Sequence, residues 1–288
     1  MNVKQQRMNW RAFVLPAVAL IMFAANSLLC RMALGSGSVD AASYSTIRVV
    51  SGAIMLLLIV RARQRGLDAI SHGSWRSAFY LFLYAVPFSF AYNGLITGTG
   101  ALILFGCVQL TMLIAAWRSG ERPSVAQWGG LVIALGGLVY LMFPGLRAPP
   151  ALPALMMAVA GIAWGVYTLR GRGAGDPLLR TTGNFTRAVP LVALVSVIAW
   201  RSQAMDLNGV LLAVTSGAVA SGLGYVAWYG ALKHLTATRA SVLQLLVPVL
   251  AAVAGVLVLS EPFGTRLGIA TLLVLGGVGL TLRPTARV

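Results

Sequence analysis

The chain of 288 residues is 58% apolar and only 10% charged, where a soluble domain carries about 25% charge, and its mean hydropathy is +0.84. That composition excludes an ordinary soluble domain. The net charge of +16 does not read as nucleic-acid binding either, because Lys and Arg sit in short connectors between apolar runs and not on one polar face.

Ten apolar runs follow one another, at 12–34, 41–60, 77–95, 99–117, 125–143, 152–169, 185–200, 209–231, 240–259 and 266–282. The longer ones reach the ~20 residues that span ~30 Å of hydrocarbon. They are continuously apolar and do not alternate every second residue, so they are helices and not barrel strands. The predicted fold class is an all-α membrane protein with ten transmembrane helices. If the N-terminus is cytoplasmic, seventeen Lys and Arg lie on the inner side and five on the outer, counting Arg31 and Arg48 as outer. Both termini are therefore expected in the cytoplasm, and the expected location is the cell inner (plasma) membrane.

The stretch from Thr97 to Glu121 can be laid on that from Thr236 to Glu261. Ala101 then falls on Ala240, Gln109 on Pro248 and Pro123 on Pro262, and each copy leads into a Gly-rich apolar run. The spacing is about half the chain, so residues 12–143 and 152–282 are expected to be two five-helix inverted repeats sharing a site near the bilayer midplane.

Polar residues deep in a span are costly and become candidates for function. Asn26 lies in the first run, Gln109 in the fourth and Gln244 in the ninth. Tyr80 and Tyr84 share a face of the third, Trp164 and Tyr167 stand in the sixth, and Tyr225 in the eighth. For each the ordinary alternative is packing: a helix–helix hydrogen bond for the amides, an interfacial belt for the aromatics. Arg48 is the basic residue set deepest in a span, and snorkelling to the outer surface is the expected state for it, ahead of contact with a substrate carboxylate. Glycines such as Gly136, Gly161, Gly217 and Gly277 permit close helix contact.

All six acidic residues lie in connectors or at run ends, and His72 and His234 in connectors, so no proton-coupling residue is evident at depth. The two cysteines, Cys30 and Cys107, lie inside apolar runs, which suits neither a disulfide nor a metal site. No cofactor is expected. Enzyme signatures are missing too: there is no HExxH, and GSGS at 35–38 has no preceding strand to make a nucleophile elbow.

The paired closing segments, with Pro248, Glu261, Gly268, Gly276 and Gly277 in the second half and Glu121, Gly129, Gly136 and Gly137 in the first, resemble the EamA-type drug/metabolite transporter superfamily. Gln109 departs from the pattern, which carries Pro there. The aromatic third run and Asn26 make the chain look most like the bacterial aromatic amino-acid exporters. The resemblance implies a central cavity among helices 1, 3, 4, 6, 8 and 9, and export of small metabolites by alternating access. The expected substrates are aromatic and other neutral amino acids, moved by a functional monomer in the lipid bilayer. The alternatives are an exporter of drugs or nucleosides, or a membrane-embedded enzyme or scaffold.

Overall fold

The computed structural model describes residues 11–63, 71–118, 120, 124–142, 148–171, 175–200, 204–232 and 243–281. Within them the chain forms α1 (Arg11–Gly35), α2 (Ala41–Ala62), α3 (Trp75–Ala91), α4 (Thr97–Arg118), α5 (Val125–Met142), α6 (Ala151–Gly171), α7 (Pro177–Ile198), α8 (Leu207–Leu232), α9 (Leu246–Leu259) and α10 (Thr265–Thr281). Helices α1, α2, α4, α6, α7 and α8 are long and apolar enough to cross a membrane, while α5, α9 and α10 are shorter apolar helices. Glu121 lies outside the described residues.

The acidic residues at run ends have a local task. Asp40 accepts from the amides of Ala42 and Ser43, Asp176 from Leu178, and Asp206 from Gly209, so each satisfies backbone donors that a helix start leaves unpaired. Ser74 caps α3 in the same way. Helix α7 starts at Pro177, eight residues before the expected 185. Its first turns are polar because Thr181, Thr182 and Asn184 are buried in the bundle, so apolarity alone misses them.

The helices pair in a regular order. Helix α3 packs on α6, and α8 on α1; α4 packs on α6, and α9 on α1; α3 meets α7, and α8 meets α2. Three further pairs are α2 with α7, α4 with α9, and α5 with α10. Aliphatic side chains such as Ile21, Ile54, Leu58, Ile162, Leu194 and Leu272 stand exposed on the outside of the bundle, as a lipid-facing surface requires.

Contacts between connectors define the two ends. At the first end, Val39 and Met205 form an isolated antiparallel bridge, with Asp40 N donating to Ala204 O and Asp206 N to Ser38 O, both at 2.8 Å. At the opposite end, Asn184 on α7 accepts from the amide of Ser74 at 2.9 Å, and Arg187 donates to the carbonyls of His72 and Ser71. Gly73 sits in this joint with φ +90, and a Cβ there would stand 2.6 Å from Asn184 Oδ1 and 2.9 Å from Arg180 O. Gly73→Ala is therefore expected to destabilise the protein by roughly 1–3 kcal/mol. Thermal unfolding of the purified protein in micelles checks this, and an unchanged midpoint would refute it.

Candidate substrate chamber

A small chamber lies at the centre of the bundle, lined by Phe23, Asn26 and Ser27 of α1, Tyr84 and Phe88 of α3, Leu104 and Phe105 of α4, and Trp164 of α6. Its volume is only about 10 Å³, room for one water at most. The structure is thus closed around this point. Aromatic rings make the wall: Trp164 lies 5.0 Å from Tyr84, 4.8 Å from Tyr225 and 5.8 Å from Phe23, centroid to centroid, and stacks on Tyr167 at 5.6 Å.

A polar network runs along one side of the wall. Ser216 Oγ donates to Asn26 Oδ1 at 2.5 Å, and Asn26 Nδ2 donates to the Tyr84 hydroxyl at 3.2 Å. The same hydroxyl accepts from Arg48 Nη2 at 2.9 Å, and Arg48 Nε donates to Ser221 Oγ at 3.2 Å. Asn26 thus holds α1, α3 and α8 together through one amide, which suits a buried group that must have its donors and acceptor satisfied.

Arg48 does not snorkel; it is 2% exposed. It lies on the face of α2 that carries Val49, Gly52 and Leu56 into the bundle, and that face packs on α8. Its guanidinium carbon stands 5.1 Å from the Tyr84 ring centroid and 4.8 Å from that of Phe88. Two aromatic faces offset part of the cost of burying a cation, about 1–2 kcal/mol each when water is excluded.

Two members of this network, Ser216 and Ser221, come from a part of α8 with unusual geometry. Residues Thr215–Leu223 form a π-helical segment between α-helical turns. In an α-helix, residues five apart diverge by about 140°, but the wider i→i+5 turns of a π-helix bring them much closer to one face. Ser216 and Ser221 therefore both face inward, one to Asn26 and one to Arg48.

Of the eight residues singled out in the sequence, Asn26, Tyr84 and Trp164 line the chamber, and Tyr167 and Tyr225 are in ring contact with Trp164. Tyr80 is half-buried and meets Phe79 at 6.1 Å. Gln109 is buried in α4, away from the lining, and Gln244 is fully buried just before α9, with neither amide atom hydrogen-bonded among the described residues. Helix α9 gives no side chain to the lining, whereas α2 brings Arg48 against it. Sequence reading passed over Phe23, Ser27, Phe88, Ser216 and Ser221. The one available signal was the five-residue spacing of the two serines in a run of apolar and small residues.

One turn beyond the chamber, towards the first end, four helix ends are tied together. Arg31 Nε pairs with Glu261 Oε1 at 3.3 Å, and Arg31 Nη1 donates to Tyr92 O at 3.0 Å. Glu261 Oε2 accepts from the amide of Thr97 at 2.8 Å. Beyond this latch a cleft of about 480 Å³ opens among Leu95, Thr99, Leu141, Pro150, Phe263 and Arg266.

A lipid-facing helical bundle closed over an aromatic and polar chamber has the architecture of a membrane transporter. The sequence profile of the EamA-like transporter family matches residues 151–283. Over 274 residues the chain is 48% identical to an uncharacterized protein of Pseudomonas aeruginosa, covering 95% of each. It is 27% identical over 192 residues to a probable terminal-alkyne amino-acid exporter of Streptantibioticus cattleyicolor, 62% of this chain and 63% of that one. A solved crystal structure only 20% identical matches it with a TM-score of 0.67 over 94% of this chain and 96% of its own, a likeness of fold. Residues 151–283 of the chain thus belong to the EamA-like transporter family.

Proposed function

We propose that the protein exports small metabolites across the cell inner membrane, with aromatic and other neutral amino acids as substrates, and that it works as a monomer. The observation that carries this reading is the closed chamber in which Trp164, Tyr84 and Phe23 surround the amide of Asn26. Aromatic walls stack an apolar side chain, and a fixed amide offers a donor and an acceptor to the polar end of a substrate. Gln109 and Gln244 belong to this site in a conformation other than the closed one. The amino-acid exporter among the relatives points to the same substrate class.

Two inverted repeats, 12–143 and 152–282, account for the order of helix pairing. Exchanging α1 with α6, α2 with α7, α3 with α8, α4 with α9 and α5 with α10 turns each of the pairs described above into another pair, or into itself. Alternating access then follows from rocking these halves about the chamber, and the first end faces outward if the termini are cytoplasmic. Among the described residues no carboxylate lines the chamber, and Glu261, one turn away, is held by Arg31 and the Thr97 amide, so the flux is expected to follow the substrate gradient.

Uptake into liposomes holding the purified protein tests this, with labelled tryptophan, labelled threonine and a cationic dye, each with and without a pH gradient. Saturable tryptophan flux that ignores the gradient is the expected result. Transport of the dye alone, or only under a proton gradient, would overturn it. Trp164→Ala and Asn26→Ala should each lower tryptophan flux at least tenfold at unchanged expression, a loss of about 1.4 kcal/mol or more.

A further inference from the structure

We propose that Arg48 is the anion-recognition residue of the chamber, and that the transported molecules carry a carboxylate or another single anionic group that it binds. The inference rests on the transporter reading above and adds the charge of the substrate to it.

The guanidinium is buried and charged at any pH a cell reaches, since it cannot be deprotonated in a protein. A buried cation is normally kept by an acidic partner. Here the four described acids are engaged elsewhere: Asp40, Asp176 and Asp206 cap helices, and Glu261 pairs with Arg31. Arg48 has instead two hydroxyl acceptors and two aromatic faces. Two hydrogen bonds use two of the five N–H donors of a guanidinium, which leaves three. Nη1 has no partner at all among the described residues.

One of its protons, with one on Nη2, forms the end-on fork that a carboxylate meets with two parallel hydrogen bonds. The rings beneath the guanidinium, Tyr84 and Phe88, are the same rings that wall the chamber, so an anion reaching Nη1 is one whose apolar body lies among them. The cation is left unpaired by the protein because the substrate completes it. The site then needs no acid of its own, and a cationic substrate is expected to be disfavoured there.

The test is binding to the purified full chain in nanodiscs by isothermal titration calorimetry, with three ligands that share one aromatic body. These are 3-phenylpropionate (carboxylate only), phenylalanine (carboxylate and amine) and phenethylamine (amine only). Phenylpropionate and phenylalanine are expected to bind, and phenethylamine to bind at least tenfold more weakly. Arg48→Gln should weaken the two carboxylates at least tenfold, and Arg48→Lys should recover part of the loss because it restores charge without the fork. The comparison among ligands on the unaltered protein stands even if neither variant folds.

Phenethylamine binding as tightly as phenylalanine would overturn the inference, as would a folded Arg48→Gln protein with unchanged affinities; the amino-acid reading would survive both. Binding of phenylpropionate without phenylalanine would uphold anion recognition and overturn the amino-acid reading. Binding of none of the three would overturn both.

Discussion

Replacing Glu261 with Ala should make the chamber about a hundredfold more accessible to water-soluble reagents. The Glu261 carboxylate closes the first end by two charge-assisted contacts, one to Arg31 on α1 and one to the amide that opens α4. Arg31 extends the tie to the end of α3 through Tyr92 O. Hydrogen bonds to charged groups contribute about 1.5–3 kcal/mol each, so losing both, after solvent screening at the arginine, whose side chain is 25% exposed, destabilises the closed state by about 2.7 kcal/mol, or a hundredfold in population. Ser27 lines the chamber and is one turn of α1 from Arg31, so a cysteine at position 27 reports on this opening. In a background with Cys30→Ala and Cys107→Ala, maleimide labelling of Ser27→Cys in nanodiscs should be slow with Glu261 and fast with Glu261→Ala. Tryptophan flux should fall at the same time, because a carrier that cannot reclose one end cannot alternate. An unchanged labelling rate would show that something other than this latch holds the end shut.

The latch and the chamber were legible in the sequence to different degrees. Continuous apolar runs with basic connectors predicted ten helices, the number found among the described residues, six of them long enough to span hydrocarbon. The start of α7 escaped because its polar residues are buried against protein and not exposed to water. Asn26, Tyr84 and Trp164 could be singled out as polar or large aromatic groups in apolar surroundings. Gln109 and Gln244 carry the same signal yet lie off the lining, because depth along a helix says nothing of which face meets the chamber. Arg48 was visible as a deep cation, but whether its long stem reached outward or inward depended on the packing of α2 against α8. The two serines needed the π-helical geometry of α8, which local sequence does not announce beyond a run of small residues. Glycines were the least legible of all, being plentiful and, on paper, alike.

Gly217 should prove the glycine whose replacement costs most function. It sits in the π-helical segment between Ser216 and Ser221, where α8 crosses α2. A Cβ at this position would collide with Ser51 Oγ and with the carbonyl oxygen of Arg48 itself. The second of these is backbone, so no rotamer change relieves it, and the helices must part. Overpacking of this kind costs roughly 3 kcal/mol or more where the neighbour cannot move. Parting α8 from α2 also pulls Ser221 from Arg48 and Ser216 from Asn26, so the polar side of the chamber is lost together with the packing. Gly217→Ala should therefore lower the unfolding midpoint and abolish measurable tryptophan flux, even in protein that is still folded. The contrast lies in α5 and α10, where a Cβ at Gly136 or Gly276 meets nothing within 4 Å. There Ala should be neutral, or stabilise by up to about 1 kcal/mol through its better helix propensity, with flux retained. Equal loss in all three variants would mean that glycine content as such, and not the close crossing of α2 and α8, supports the transport cycle.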